Sequence, residues 1–248
     1  MITINFIIPV YNEEKRLNIC FRALDSFIPP KKIQISKVIF VNDGSTDNTL
    51  NILKNTKIKF PKKIISYSTN KGKGYAVKTG LLKSKSDYSL LFDADISTPL
   101  SEIKKFVPFF KKNIPVIIGT RKNSHSTVTI HQPFIRENMG KAFTLLSNII
   151  LNTSVTDFTC GFKALSYEAI KIIAPKMTIN RWCYDSEILF LAKNNNLTIQ
   201  EKPVTWANEK NTKVNLIKDS IRSFYELILI RINHLNLSFP KSPVFSSN

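Results

Sequence analysis

The chain is poor in the residues that build disulfide frameworks and zinc sites. Its three cysteines, Cys20, Cys160 and Cys183, are odd in number and far apart, no CxxC pair occurs, and histidine appears three times in 248 residues. That usage excludes a disulfide scaffold and a Cys/His metal module, and it fits a reducing compartment. Long apolar runs are missing as well. None reaches the roughly 18 residues of a spanning helix, and Met1 leads into the apolar stretch 2–10 without a basic leader or a small-residue cleavage site. The expectation is a protein neither secreted nor integral to a membrane. No repeat, low-complexity tract or linker interrupts the first 239 residues, so one domain is expected over 1–239, with a disordered tail at 240–248.

Acidic residues are scarce, 18 against 36 basic ones, for a formal charge of +18. Such an excess invites a partner that carries phosphates, whether nucleotide, nucleic acid or anionic membrane. Most of it is lysine in a sequence also rich in Ile and Asn, a composition that AT-rich codons supply without any binding role. Arginine is more informative, because only seven occur and Arg121, Arg136 and Arg181 fall in polar motif segments. No nucleic-acid motif and no basic face interleaved with aromatics is present, so nucleic acid is not an expected partner.

In the first half, short apolar runs alternate with amphipathic stretches. Strands are predicted at 2–10, 37–41, 64–67, 88–92 and 116–119, with helical stripes such as Leu17, Phe21, Leu24 and Phe27 between them. This alternation predicts an α/β fold, Rossmann-like, with a mostly parallel sheet and helices on both faces. In such sheets ligands bind beyond the carboxyl ends of the strands. The polar clusters Tyr11–Glu13, Asn42–Ser45, Asp93–Asp95 and Thr120-Arg121 all sit at those ends. The second half predicts a long helix over 135–151, a strand pair near 159–165 and 198–206, and helices near 166–174 and 185–194. A basic, amphipathic C-terminal helix over 214–239 follows, with an apolar stripe of Val214, Ile217, Ile221, Phe224, Ile228, Ile232 and Leu235. That stripe fits either packing on the sheet or contact with a membrane surface. The stretch Asn123–His131 reads as a loop over the site, with His125 and His131 solvated.

Asp93-Ala-Asp95 places two carboxylates on the same side of an extended segment, where they can hold one hard divalent cation; alone, such a pair is also a common solvated turn. Asn42–Asp47 reads as a turn leading to a helix, or as part of a site. In Asn70-Lys-Gly-Lys-Gly74, two glycines opening a helix would let backbone N–H groups and lysines approach a phosphate, although the spacing of a Walker motif is missing.

Taken in order, Ile8–Glu13, Val41–Thr49, Asn70–Gly74, Phe92–Asp95 and Ile118–Arg121 resemble the family-2 glycosyltransferases of GT-A fold. Asp157–Lys163, Arg181–Glu187 and Trp206 followed by Thr212-Lys-Val214 look like that family's dolichyl-phosphate β-glucosyltransferase branch, with mannose synthases as near relatives. The resemblance implies an inverting transfer of a hexose, glucose in this branch, from UDP-glucose to a polyprenyl or dolichyl phosphate, with Mg²⁺ or Mn²⁺ as cofactor. Transfer from GDP-mannose, or to a hydroxyl of a glycan, stays open as the alternative.

The implied halves are 1–122 for the nucleotide sugar and 123–213 for the acceptor. Pro9, Tyr11, Asn12, Glu13, Asp43, Lys73, Gly74 and Asp93 would hold the donor, and Asp93 and Asp95 the metal. Arg121, Arg136, Arg181 and Trp182 would meet the acceptor phosphate. Asp95, Asp157 and Asp185 are the catalytic candidates, the last two as bases if the acceptor is a hydroxyl or as helix caps and turn residues if it is not. Mannose synthases often carry Gln two residues past the second Asp, where this chain has Ser97, so the coordination shell departs from that pattern. The implied location is the cytoplasmic face of a membrane, reached peripherally through the C-terminal helix.

Overall fold

The computed structural model describes residues 1–122, 126–130, 134–207 and 216–235. His125, His131, the 212–214 motif and the tail 240–248 lie outside the described residues. In chain order the elements are β1 Ile2–Val10, α1 Leu17–Ser26, β2 Ile33–Asp43, α2 Thr49–Asn55, β3 Lys62–Tyr67, α3 Lys73–Leu82, β4 Tyr88–Leu91, α4 Val107–Lys111 and β5 Val116–Thr120. There follow β6 Thr127–Ile130, α5 Phe134–Leu151, β7 Lys163–Ser166, α6 Tyr167–Ile173, α7 Tyr184–Asn194, β8 Ile199–Pro203, β9 Thr205–Ala207 and α8 Leu216–Asn233.

Seven strands form one sheet in the order β3-β2-β1-β4-β7-β5-β8, and β7 alone runs antiparallel to its neighbours β4 and β5. Alternate residues of the strands feed two cores, which is why β1 and β2 each contain a continuous apolar run, residues 6–10 and 38–41. Phe6, Ile8 and Phe40 pack with Phe21 and Leu24 of α1 on one face. Ile7, Ile39 and Val41 pack with Val77 and Leu81 of α3 on the other. The mostly parallel α/β sheet with helices on both faces is as the sequence predicts.

Three local expectations change. The predicted pair near 159–165 and 198–206 is not a pair, because β5 lies between β7 and β8. Residues 157–162 form a turn rather than the start of a strand. Lys163, wholly buried, closes that turn by donating to the carbonyls of Phe158 and Cys160. Within the predicted loop 123–131, Thr127–Ile130 is strand β6, paired in parallel with β9.

Helix α8 packs against α5 and α7, but not through its predicted stripe. Ile221, Phe224, Ile228, Ile232 and Leu235 are all exposed, while Glu226, Leu227, Ile230 and His234 turn inward. The buried polar pair is matched by partners. Glu226 Oε2 accepts from the backbone N–H of Trp182 and Cys183 at 3.2 and 3.0 Å, and His234 Nε2 lies 2.9 Å from Glu187 Oε1. Glu226 thereby caps α7, whose own N-cap residue Cys183 makes no side-chain cap bond. This orientation is testable by thermal unfolding. Leu227→Ala should cost about 2–4 kcal/mol, as truncation of a buried Leu does, whereas Ile221→Ser should change stability by less than about 0.5 kcal/mol.

Candidate functional site

Parallel β1, β2, β3, β4, β5 and β8 deliver the loops after them to one edge of the sheet. Antiparallel β7 presents the turn before it, 157–162, to the same edge. The fold therefore gathers five motif segments and the start of α7 in one place.

The first two loops are stitched together by their own polar groups. Asn12 takes the left-handed conformation (φ 52°), its N–H donates to Ser45 Oγ, and its Oδ1 accepts from Thr46 N at 2.8 Å. Glu13 N donates to Thr49 Oγ1, and the Glu13 carboxylate pairs with Arg16 at 2.7 Å. Pro9 is half-buried and Tyr11 is exposed at the rim.

Asp43, buried at the end of β2, is turned onto the glycine loop. Its Oδ1 accepts from Lys71 N and its Oδ2 from Gly72 N and Asn70 Nδ2, each at 2.9 Å. Burial and this carboxylate together push the Tyr67 hydroxyl far above its ordinary range. The loop also leans on the strand of backbone before α7: Gly74 N donates to Arg181 O and Tyr75 N to Asn180 O. A Cβ on Gly72 (φ 111°) would lie 2.3 Å from Asn180 O, and one on Gly74 would lie 2.4 Å from Ile179 O. The glycines thus allow close packing of protein on protein. The amides of Lys71, Gly72, Gly74 and Tyr75 are engaged by the protein itself, which corrects the expectation that they would cradle a phosphate.

What the loop does project is Lys73, whose Nζ lies 2.7 Å from Asp93 Oδ1. Burial alone would depress that ammonium, but Asp93, with Tyr184 and Asp185 nearby, holds it well above the usual lysine range. Asp95 accepts from Ser97 N at 3.0 Å. Burial and the like charge of Asp93 push its carboxyl up. A cavity beside this pair is lined by Asp93, Asp95, Ser97, Gly161, Phe162 and Trp206, among others. A Cβ on Gly161 would come within 2.9 Å of Asp93 Oδ2, so a side chain there would displace that carboxylate.

Arg121 and Asp157 form the second charged unit. Asp157 is fully buried, with Oδ2 accepting from Arg121 N and Nε and Oδ1 from Arg121 Nη2, at 2.8–3.0 Å. Burial would raise this carboxyl, but the guanidinium overrides it and holds Asp157 far below the usual carboxylate range. The Arg121 guanidinium also stacks over the Trp206 ring, 5.1 Å from its centroid. Asp185, in the first turn of α7, lies 2.8 Å from Lys163 Nζ. Burial pushes its carboxyl up, opposed by Lys163 and Lys73.

Arg181 is half-exposed above Gly72, and Trp182 beside it is fixed through its backbone to α8. Arg136 sits in the first turn of α5, with its side chain outside the described residues. Sequence reasoning assigned no role to Lys163, Glu187 or Glu226. Lys163 left one signal: a lysine amid Cys160-Gly-Phe-Lys-Ala-Leu165, where the apolar neighbours require burial and a buried ammonium requires acceptors.

This chain is similar to characterised proteins over most of its length. It is 32% identical to a dolichyl-phosphate β-glucosyltransferase of Saccharomyces cerevisiae, covering 94% of this chain and 75% of the relative. It is 29% identical to one of Trichomonas vaginalis, covering 92% and 70%. Its fold matches that of Mycobacterium tuberculosis glucosyl-3-phosphoglycerate synthase, solved with Mn²⁺, UDP and glucosyl-3-phosphoglycerate, with a TM-score of 0.68 at 16% identity over 93% of this chain and 80% of the other. The profile described as Glycosyl transferase family 2 matches residues 5–173. With the loops of that span converging on Lys73, Asp93, Asp95 and Arg121, the chain belongs to glycosyl transferase family 2.

Proposed function

We propose that this chain transfers glucose, with inversion, from UDP-glucose to a polyprenyl phosphate of dolichyl type, with a divalent cation, Mg²⁺ or Mn²⁺, held by Asp93 and Asp95. The observation that carries the reaction class is the cluster of Asp93, Asp95 and Lys73 at the edge where the strand ends meet. The sugar and the acceptor are chosen from the relatives, which are named dolichyl-phosphate β-glucosyltransferases, and UDP from the solved neighbour that holds it.

The residues fit the cation. Two hard carboxylates line the same cavity, and burial together with the like charge of Asp93 disfavours ionisation of Asp95 until a cation joins them. Among the described residues no third His, Cys, Asp or Glu completes a closed cage. That leaves coordination positions for phosphate oxygens, as Mg²⁺ sites usually do. When bound, the cation would offset charge developing on the departing diphosphate. Lys73, kept cationic by Asp93, would offset charge on the same diphosphate.

A phosphate acceptor is mostly dianionic at neutral pH and attacks without losing a proton, so no base is needed. Asp157 is unsuited to be one, since Arg121 occupies both its oxygens. Its part is to fix Arg121 beside the cavity, where a guanidinium can take a phosphate. A hydroxyl acceptor is the second reading; it is favoured by Asp185, a carboxyl raised by burial and placed near Lys73, which would serve as the base. Neither Arg136 nor Arg181 carries the argument alone; both are assigned to the acceptor phosphate with Trp182.

The exposed apolar stripe of α8, with Arg222 beside it, supports peripheral seating at the cytoplasmic face of a membrane. No helix among the described residues is long and apolar enough to cross one.

Labelled UDP-glucose, with Mg²⁺ or Mn²⁺ and a polyprenyl phosphate in detergent, should yield a mild-acid-labile glucolipid with a β linkage. Asp95→Asn should abolish it, whereas an α-linked product would rule out inversion. Label appearing only on a glycan hydroxyl, and lost in Asp185→Asn, would establish the second reading. In liposome sedimentation, Ile221→Ser combined with Phe224→Ser should weaken binding to anionic vesicles on the order of tenfold. Asp157→Asn should cost about 3–5 kcal/mol in thermal unfolding, because Arg121 is left buried without its partner.

A further inference from the structure

Trp206 belongs to none of the groups assigned so far, yet it lies where they meet. Its side chain lines the cavity that also holds Asp93 and Asp95, and its ring carries the Arg121 guanidinium 5.1 Å from the centroid. The ring is held from several directions. Its residue sits in β9, paired with β6; Trp206 O accepts from Thr129 Oγ1; and Ala207 N donates to Ser97 O in the same loop as Asp95. Arg121 is in turn locked by fully buried Asp157. A large aromatic side chain is thus fixed at a cavity whose other walls include Asp93, Asp95, Ser97 and Thr98 beside the apolar Phe92, Ile96 and Phe162. That combination is the chemistry of hexose binding, with a ring against the sugar's C–H face and oxygens toward its hydroxyls.

We propose that Trp206 is the platform for the donor's hexose and the residue through which the site distinguishes a nucleotide sugar from the bare nucleotide. The assignment rests on the nucleotide-sugar reading above. Trp206 moves no proton; it positions the sugar.

The test compares UDP with UDP-glucose, each with Mn²⁺, binding to the unaltered protein and to the Trp206→Phe and Trp206→Leu variants. Far-UV circular dichroism and thermal unfolding check that the variants fold. The chain has 2 tryptophans, so an emission change that the unaltered protein shows with UDP-glucose, and Trp206→Phe lacks, belongs to Trp206. The expected result is an affinity for UDP-glucose that falls about tenfold in Trp206→Leu, toward that for UDP, while the affinity for UDP stays within about twofold. Trp206→Phe should keep most of the preference, since it keeps a ring. Equal losses for both ligands in a folded variant, or a preference undiminished in Trp206→Leu, would overturn the assignment and leave the donor reading standing. Failure of the unaltered protein to bind either ligand would overturn both.

Discussion

An ammonium group sealed away from water, that of Lys163, holds the two halves of the site in register. It sits at the first residue of the only antiparallel strand in the seven-stranded sheet, donates to two carbonyls of the preceding turn, and faces Asp185 on α7. A buried charge of this kind is tolerable only when its surroundings are fully matched. The shape of the 157–162 turn and the placement of α7 are therefore parts of one requirement. Because that turn is fixed, Asp157 reaches Arg121 and Gly161 passes beside Asp93. The reversed strand is what lets a turn from the second half of the chain join loops from the first.

The electrostatics of the site contrast with the chain as a whole. The protein carries twice as many basic as acidic residues, yet several of its carboxylates are concentrated here, and most are already committed. Asp43 holds the glycine loop, Asp157 holds Arg121, and Asp185 meets Lys163. Only Asp93 and Asp95 stand together with the same sign on a cavity wall. Asp157 keeps Arg121 cationic and aimed, and Asp93, itself paired with Lys73, does the same for that lysine.

Much of this was legible in the sequence, for identifiable reasons. Apolar runs such as 6–10 and 116–119 announce strands covered on both faces, and the polar clusters after the strands located Asp93, Asp95 and Arg121 at their ends, while Asp157 came from the family resemblance. The direction of β7 was not legible, because apolar pattern carries no strand orientation. Nor was the inward face of α8. Apolar periodicity selects Ile221, Phe224 and Ile228, but the helix is seated by Glu226 and His234, whose value depends on amides and a carboxylate 40 or more residues away. The amides of the glycine loop were misread for a similar reason: sequence shows that glycine permits close approach, not what approaches.

The carbonyls of Asn180 and Arg181, which receive the start of α3, are held in place by a helix that is itself capped from α8. This has a bearing on biosynthesis. During translation the first 122 residues can assemble most of the parallel strands, but Gly74 and Tyr75 then lack the acceptors that seat them, and Lys73 is carried on an unanchored turn. The nucleotide half gains these acceptors only once the backbone at 180–181 has been made, and their cap only once α8 has followed. Motifs near the start of the sequence are thus seated by backbone made far downstream.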